Sequence, residues 1–134
     1  MNVVDTSAII AILEGEPERD AFARRTSEAS YAIMSAVSML EASIVMSGRR
    51  GRAGVQALDE WFVGARIIIR PFDRSMAESA VAAYERFGKS SGSETRLNFG
   101  DCCSHAFASL ERAPLLFKGA DFAATDIVPA TTIP

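Results

Sequence analysis

This chain predicts an α/β fold, a three-layer α/β/α sandwich around a central parallel sheet of four to five strands, on three observations. Short apolar runs recur at Met1–Val4, Tyr31–Met34, Ile67–Ile69 and Leu115–Phe117, and a helix-periodic stretch separates each run from the next. Ile67-Ile68-Ile69 is β-branched throughout, which suits a strand covered on both faces. The chain has no internal repeat or low-complexity tract, and at 134 residues a single domain over 1–134 is expected. Right-handed crossovers would then stack helices on both faces and put a ligand site at the carboxyl ends of the strands.

In order, Met1–Val4 reads as a buried strand, followed by a turn at Asp5-Thr6-Ser7 and a helix through Leu13. Gly15-Glu16-Pro17 breaks the chain, and Pro17 suits the first turn of a second helix reaching about Ala29. After the strand Tyr31–Met34, Ser35 offers an N-cap to a helix that runs to about Arg50. Gly51–Gly54 reads as a turn, and a helix containing Leu58, Trp61 and Phe62 leads into the isoleucine strand. Asp73 caps a helix with Met76, Ala80, Tyr84 and Phe87 at helical spacing. Lys89 to Arg96, polar and rich in Ser and Gly, reads as the one flexible loop. A helix from Phe99 to Glu111 and the strand Leu115–Phe117 follow, and Ile127-Val128 is a candidate fifth strand.

Composition narrows the function. Fourteen basic against seventeen acidic residues give a net charge of −3, the wrong sign for a nonspecific nucleic-acid binder. A nucleic-acid substrate would need local positive patches and a metal ion, while a basic protein partner would be attracted. The apolar run Ser7–Leu13 is too short to span a bilayer and lacks the basic flank of a signal peptide, so a cytoplasmic protein is expected. Cys102 and Cys103, the only cysteines, read as small apolar residues of a reduced compartment.

Against that background four acids stand out: Asp5, Glu41, Asp101 and Asp121. Asp5 ends the first strand, where it could cap the next helix, although Thr6 and Ser7 are alternative caps. Glu41 interrupts the apolar stripe Val37, Leu40, Ile44, Val45, about 40° from Val37 and Val45, where a charge needs a partner. Asp101 pairs with Asn98 as a capping box and sits beside Gly100, which permits close approach. Asp121 follows the fourth strand and a turn at Lys118-Gly119-Ala120, and Asp126 is a reserve candidate. Carboxylates that converge repel one another, and hard divalent cations such as Mg²⁺ or Mn²⁺ are the usual remedy. His105, four residues after Asp101, has no second His or Cys to make a zinc site and reads as a satisfied or wall-lining residue. Neither a glycine-rich phosphate loop nor a serine–histidine–acid triad is present.

These residues resemble the PIN-domain ribonucleases, specifically the VapC toxins of bacterial toxin–antitoxin pairs. The likeness rests on Val3-Val4-Asp5-Thr6-Ser7-Ala8, the stretch Ser35 to Ala42, Leu97-Asn98-Phe99-Gly100-Asp101-Cys102, and Leu115 to Phe122, in that order. It implies a five-stranded parallel sheet and an Mg²⁺- or Mn²⁺-dependent endoribonuclease that cuts structured RNA such as transfer RNA and arrests translation. Asp5, Glu41, Asp101 and Asp121 carry over as the metal-binding and catalytic acids. It further implies a homodimer, a cognate VapB-like antitoxin that blocks the acidic site, and contact with DNA only through that antitoxin. The chain departs from the family pattern at His105, where an aromatic is frequent, and over Ser90 to Thr95, where relatives carry His-Pro.

Three other classes compete. A haloacid-dehalogenase phosphatase needs a second aspartate at position 7, which is Ser. A receiver module wants paired acids after the first strand. A catalytically silent binding module on the same fold would act through its protein partner alone, and four intact acids argue against it.

Overall fold

The computed structural model describes residues 1–89 and 91–131. Strands β1 (Asn2–Val4), β2 (Ala32–Ser35), β3 (Ile67–Arg70) and β4 (Leu115–Leu116) pair in parallel in the order β3-β2-β1-β4. Val3 lies opposite both Ile33 and Leu115, so β1 is flanked on each side and wholly buried. The two-residue alternation of strands sorts its side chains to opposite faces. Val3 and Ile33 join Leu97, Phe107 and Leu115 in one core, whereas Val4 and Met34 join Ile9, Phe22 and Leu58 in the other. Helices α1 (Thr6–Leu13), α2 (Arg19–Glu28) and α3 (Ala36–Gly64) supply the second core, and α4 (Arg74–Phe87) and α5 (Phe99–Glu111) supply the first. The three layers expected from the alternation are present.

Local signals fix the helix ends. The Ser35 hydroxyl accepts from the Ser38 amide at 3.1 Å and starts α3. Asp73 accepts from the Met76 amide at 3.0 Å, and that bond with the one from Ser75 holds its carboxyl below the usual range. Asn98 and Asp101 form the reciprocal capping box of α5, at 2.9 and 3.1 Å. That helix ends at Arg112, whose φ of 53° is left-handed.

Three expectations need correction. The turn read over Gly51–Gly54 shrinks to Gly51 alone, where φ 60° and ψ −147° kink α3, and helix resumes at once. Gly54 is helical and buried because the chain there packs on the backbone of Met46, leaving no room for a Cβ. Ile127-Val128 forms no strand: the segment contributes one parallel bridge between Leu115 and Pro129, and Pro129, without an N–H, suits that outermost position. Leu40 and Ile44, read as part of a buried stripe, are 58% and 63% exposed. The buried line of α3 runs instead through Ser38, Ala42 and Met46.

The loop Lys89 to Arg96 is closed by a bridge between Gly88 and Leu97 and by hydrogen bonds among Ser91, Ser93 and Thr95. Ser90 lies outside the described residues. No helix among the described residues is long and apolar enough to cross a membrane.

Candidate active site

A cleft of about 350 Å³ opens at the carboxyl ends of β1 and β4, and Asp5, Glu41, Asp101 and Asp121 all line it. Four segments far apart in sequence thus deliver their acids to one place. Asp5 is buried and caps α1 after all: its Oδ2 accepts from the Ser7 amide at 2.9 Å and from the Ser7 hydroxyl at 2.5 Å. Its other oxygen accepts from the buried Ser104 hydroxyl, which lies 3.4 Å from Ser38 Oγ. Capping and lining the cleft are therefore one role, with each oxygen of Asp5 held by an O–H donor.

Glu41 sits at the margin of the buried face of α3, turned toward the cleft rather than into the core. Its carboxylate lies against Gly100, in space that a Cβ at that position would occupy. That close approach is the reason for glycine beside Asp101. Asp121 stands in the turn after β4 and is exposed.

Electrostatics tie the four together. Burial raises the carboxyl pKa of Asp101 to about 6, and the charges of Asp121, Asp5 and Glu41 add to the shift against a lowering hydrogen bond from the Asn98 amide. The cleft therefore holds negative charge in excess of what its protein neighbours neutralise. Lys118 offers little relief, since its ammonium pairs with Glu16 at 2.7 Å and Glu18 at 3.1 Å, which raise its pKa. Its backbone amide donates to Ser7 Oγ at 3.0 Å and fastens the β4 turn to the Asp5 cap.

An all-carboxylate donor set with uncompensated charge fits a hard divalent cation, and no His or Cys lines the cleft. Among the described residues, no three of these groups already stand as they would around one ion. Asp5 and Asp101 each also cap a helix start, accepting from the Ser7 and Asn98 amides.

His105 points away from the cleft. Its Nε2 lies 2.6 Å from Asp126 Oδ1, and its ring lies 5.5 Å from that of Phe87. Burial works to raise the Asp126 carboxyl but is outweighed by His105 and Arg86, so its pKa falls below the usual value. The reserve candidate is thus a partner of His105, remote from the four acids. Cys102 and Cys103 are free, buried thiols, and burial pushes Cys103 up to about 11, well away from thiolate chemistry. Sequence reasoning missed Ser104, Lys118, Glu16 and Arg49 as cleft or support residues. Nothing local marks Ser104, Lys118 or Glu16, which acquire their places through contacts between distant elements. The four-residue spacing of Glu41, Val45 and Arg49 on α3, by contrast, could have found Arg49.

The chain is similar to known proteins over almost its whole length. The PIN-domain family model matches residues 3–128. Ribonuclease VapC28 of Mycobacterium tuberculosis is 44% identical over 125 residues, covering 93% of this chain and 94% of its own. A ribonuclease VapC of Mycolicibacterium smegmatis is 39% identical, covering 93% of this chain and 96% of its own. Among solved structures, the Mycobacterium tuberculosis toxin VapC20, which cleaves the sarcin-ricin loop, superposes with a TM-score of 0.77 at 18% identity over 96% of this chain and 97% of that one. The toxin–antitoxin complex from Klebsiella pneumoniae gives 0.70 at 20% identity over 99% of this chain and 100% of that one. At those identities the two structures speak to the fold, while the sequence relatives decide the membership: this chain belongs to the VapC ribonucleases of the PIN-domain family.

Proposed function

We propose that this VapC-type ribonuclease is the toxin of a toxin–antitoxin pair, an Mg²⁺-dependent endonuclease in which Asp5, Glu41, Asp101 and Asp121 form the working site. Its target is a structured cellular RNA such as transfer RNA, cut in the cytoplasm with arrest of translation. One observation carries the site assignment: four acids from four separate segments share a cleft in which Asp101 is pushed up to about 6 by burial and by the other three charges.

PIN-domain ribonucleases are in general dependent on a divalent metal. Asp5, Glu41, Asp101 and Asp121 are the residues that would hold the cation. When bound, the ion supplies Lewis acidity at the scissile phosphate and eases deprotonation of water. The protein's part is orientation. Ser7 and Ser104 aim the two oxygens of Asp5, the capping box fixes Asp101, and Gly100 leaves room for Glu41. Glu16 and Glu18 hold the Lys118 ammonium, so that it does not neutralise the acids.

Two features support protein partners. The exposed Leu40 and Ile44 on α3 are the chain neighbours of Glu41 and Val45, which line the acidic cleft, and a basic amphipathic helix of an antitoxin would match both surfaces. Exposed Val81, Tyr84 and Phe99 rim an apolar groove of about 520 Å³ on α4 and α5, which supports pairing of two copies. Contact with DNA would come only through the antitoxin.

The test is RNA cleavage by chelator-treated protein with Mg²⁺ or Mn²⁺ restored, wild type beside Glu41→Gln. Wild type should cut only with metal, and the variant should keep its circular dichroism and lose cleavage. A variant that cuts at the parental rate removes Glu41 from the site.

A further inference from the structure

Two of the cleft-lining residues are cationic, Lys118 and Arg49. Lys118 is committed to Glu16 and Glu18. Arg49 is exposed and makes no ion pair or hydrogen bond with any described residue. Its neighbour Arg50, by contrast, is anchored to Glu14 at 3.2 Å. Glu41, Val45 and Arg49 follow one another at four-residue intervals, and all three line the cleft from α3. Helical rise puts Arg49 about 12 Å along the axis from Glu41, one residue before Arg50 and two before the Gly51 kink that ends this limb of α3.

This rests on the proposed ribonuclease site: a polyanion must approach a protein of net charge −3 at a cleft lined by carboxylates. The field there opposes it, and a cation at the scissile phosphate compensates only locally. We propose that Arg49 is a substrate-positioning residue that grips a backbone phosphate of the RNA a few nucleotides from the one being cut. The spacing suits this role, since about 12 Å corresponds to a few nucleotides at roughly 3.4 Å rise each. Guanidinium chemistry suits it as well, because its planar fork matches two phosphate oxygens and stays charged at any working pH. At Arg49 itself a phosphate is attracted and a basic side chain repelled, so RNA is the favoured occupant of this position, while a basic partner segment is matched to the carboxylates of the cleft.

Binding of a fluorescent stem-loop RNA is measured by anisotropy across a salt series, with Glu41→Gln protein so that the probe stays intact. Adding Arg49→Ala should weaken binding about ten-fold and reduce the slope of log K against log salt by about 0.7–1. Arg49→Lys should recover part of the affinity and all of the slope. In the cleavage-competent protein, Arg49→Ala should raise KM with kcat nearly unchanged. Unchanged affinity and slope overturn the proposal, as does a fall in kcat at constant KM. So does a change confined to binding of the co-purified protein partner. If wild type neither binds nor cuts RNA under any metal condition, the ribonuclease site itself fails. If wild type cuts and Arg49→Ala behaves identically, only the role of Arg49 fails.

Discussion

Gly100→Ala should make the protein more stable and a poorer enzyme at once. Gly100 is the second residue of α5, and its φ is not in the left-handed region, so alanine meets no backbone strain. Alanine in a helix gains up to about 0.5–1 kcal/mol over glycine, partly by restricting the unfolded chain. The new methyl would overlap Glu41 Oε2 and stand 3.0 Å from Cδ and 3.1 Å from Oε1. Relaxed contacts lie near 3.5 Å, so the carboxylate must withdraw by roughly 1 Å. The obstacle is the tip of a flexible side chain, and moving it costs little folding energy. Catalysis is less forgiving: a displacement of about 1 Å can cost on the order of 100-fold. We expect Tm to rise by roughly 2–5 °C in chelator-treated buffer and kcat to fall about 10- to 100-fold with metal restored. Parental kcat together with a raised Tm would show that Glu41 does not work from the position it occupies here. A lowered Tm would show that the methyl meets something less yielding than the carboxylate.

Asp101→Asn should stabilise the metal-free protein in a pH-dependent way. The folded carboxyl at about 6 lies above its ordinary value of 3.8, so the fold binds the proton more tightly and wild type loses stability as pH rises from about 4 to 6. Above pH 6 the variant should melt higher by about 1 kcal/mol, a two-unit ceiling of about 3 discounted for solvent screening and the lost charge at the helix start, and the gap should close below pH 4. A gap that is constant with pH would refute the origin of the shift. Ser104→Ala removes one of the donors that aim Asp5, and Mn²⁺ affinity by calorimetry should fall about ten-fold with the fold retained. Undiminished affinity would make Ser104 simple packing. Gly54→Ala puts a methyl 3.0 Å from the carbonyl carbon of Met46, a backbone atom that cannot step aside, so denaturant titration should show a loss of about 1–3 kcal/mol with the m-value kept.

The layered architecture and the places of Asp5, Glu41, Asp101 and Asp121 were legible because each is a departure from a local pattern: an acid ending an apolar strand, entering an apolar helix, or opening a capped one. Caps at Ser35, Asp73 and Asn98 were legible for the same reason, since capping involves neighbours in sequence. What lay beyond reach depends on contacts between elements. Ser104 reads as one more small residue of α5 until the helix is laid beside β1, whereupon it meets Asp5 across 99 positions. Lys118 reads only as part of the turn before Asp121, yet two glutamates from the start of the chain claim it. Gly54 carries the signature of a turn, and only the proximity of the Met46 backbone explains a glycine inside a helix. His105 shares a nominal face with Asp101, but the segment carrying Asp126 draws it to the far side.

The position of β1 has a consequence for the order in which the acidic cleft is assembled. Its neighbours in the sheet are β2, some thirty positions later in sequence, and β4, more than a hundred positions later, and Asp5 is locked by Ser7, Ser104 and the turn at Lys118. A chain still being synthesised and lacking β4 has no Asp121, no Lys118 amide against Ser7 and an open flank on β1. Such long-range closures are slow and form late. On the proposed site, a chain at that stage would lack part of its acidic cleft, which is complete only once the last strand docks.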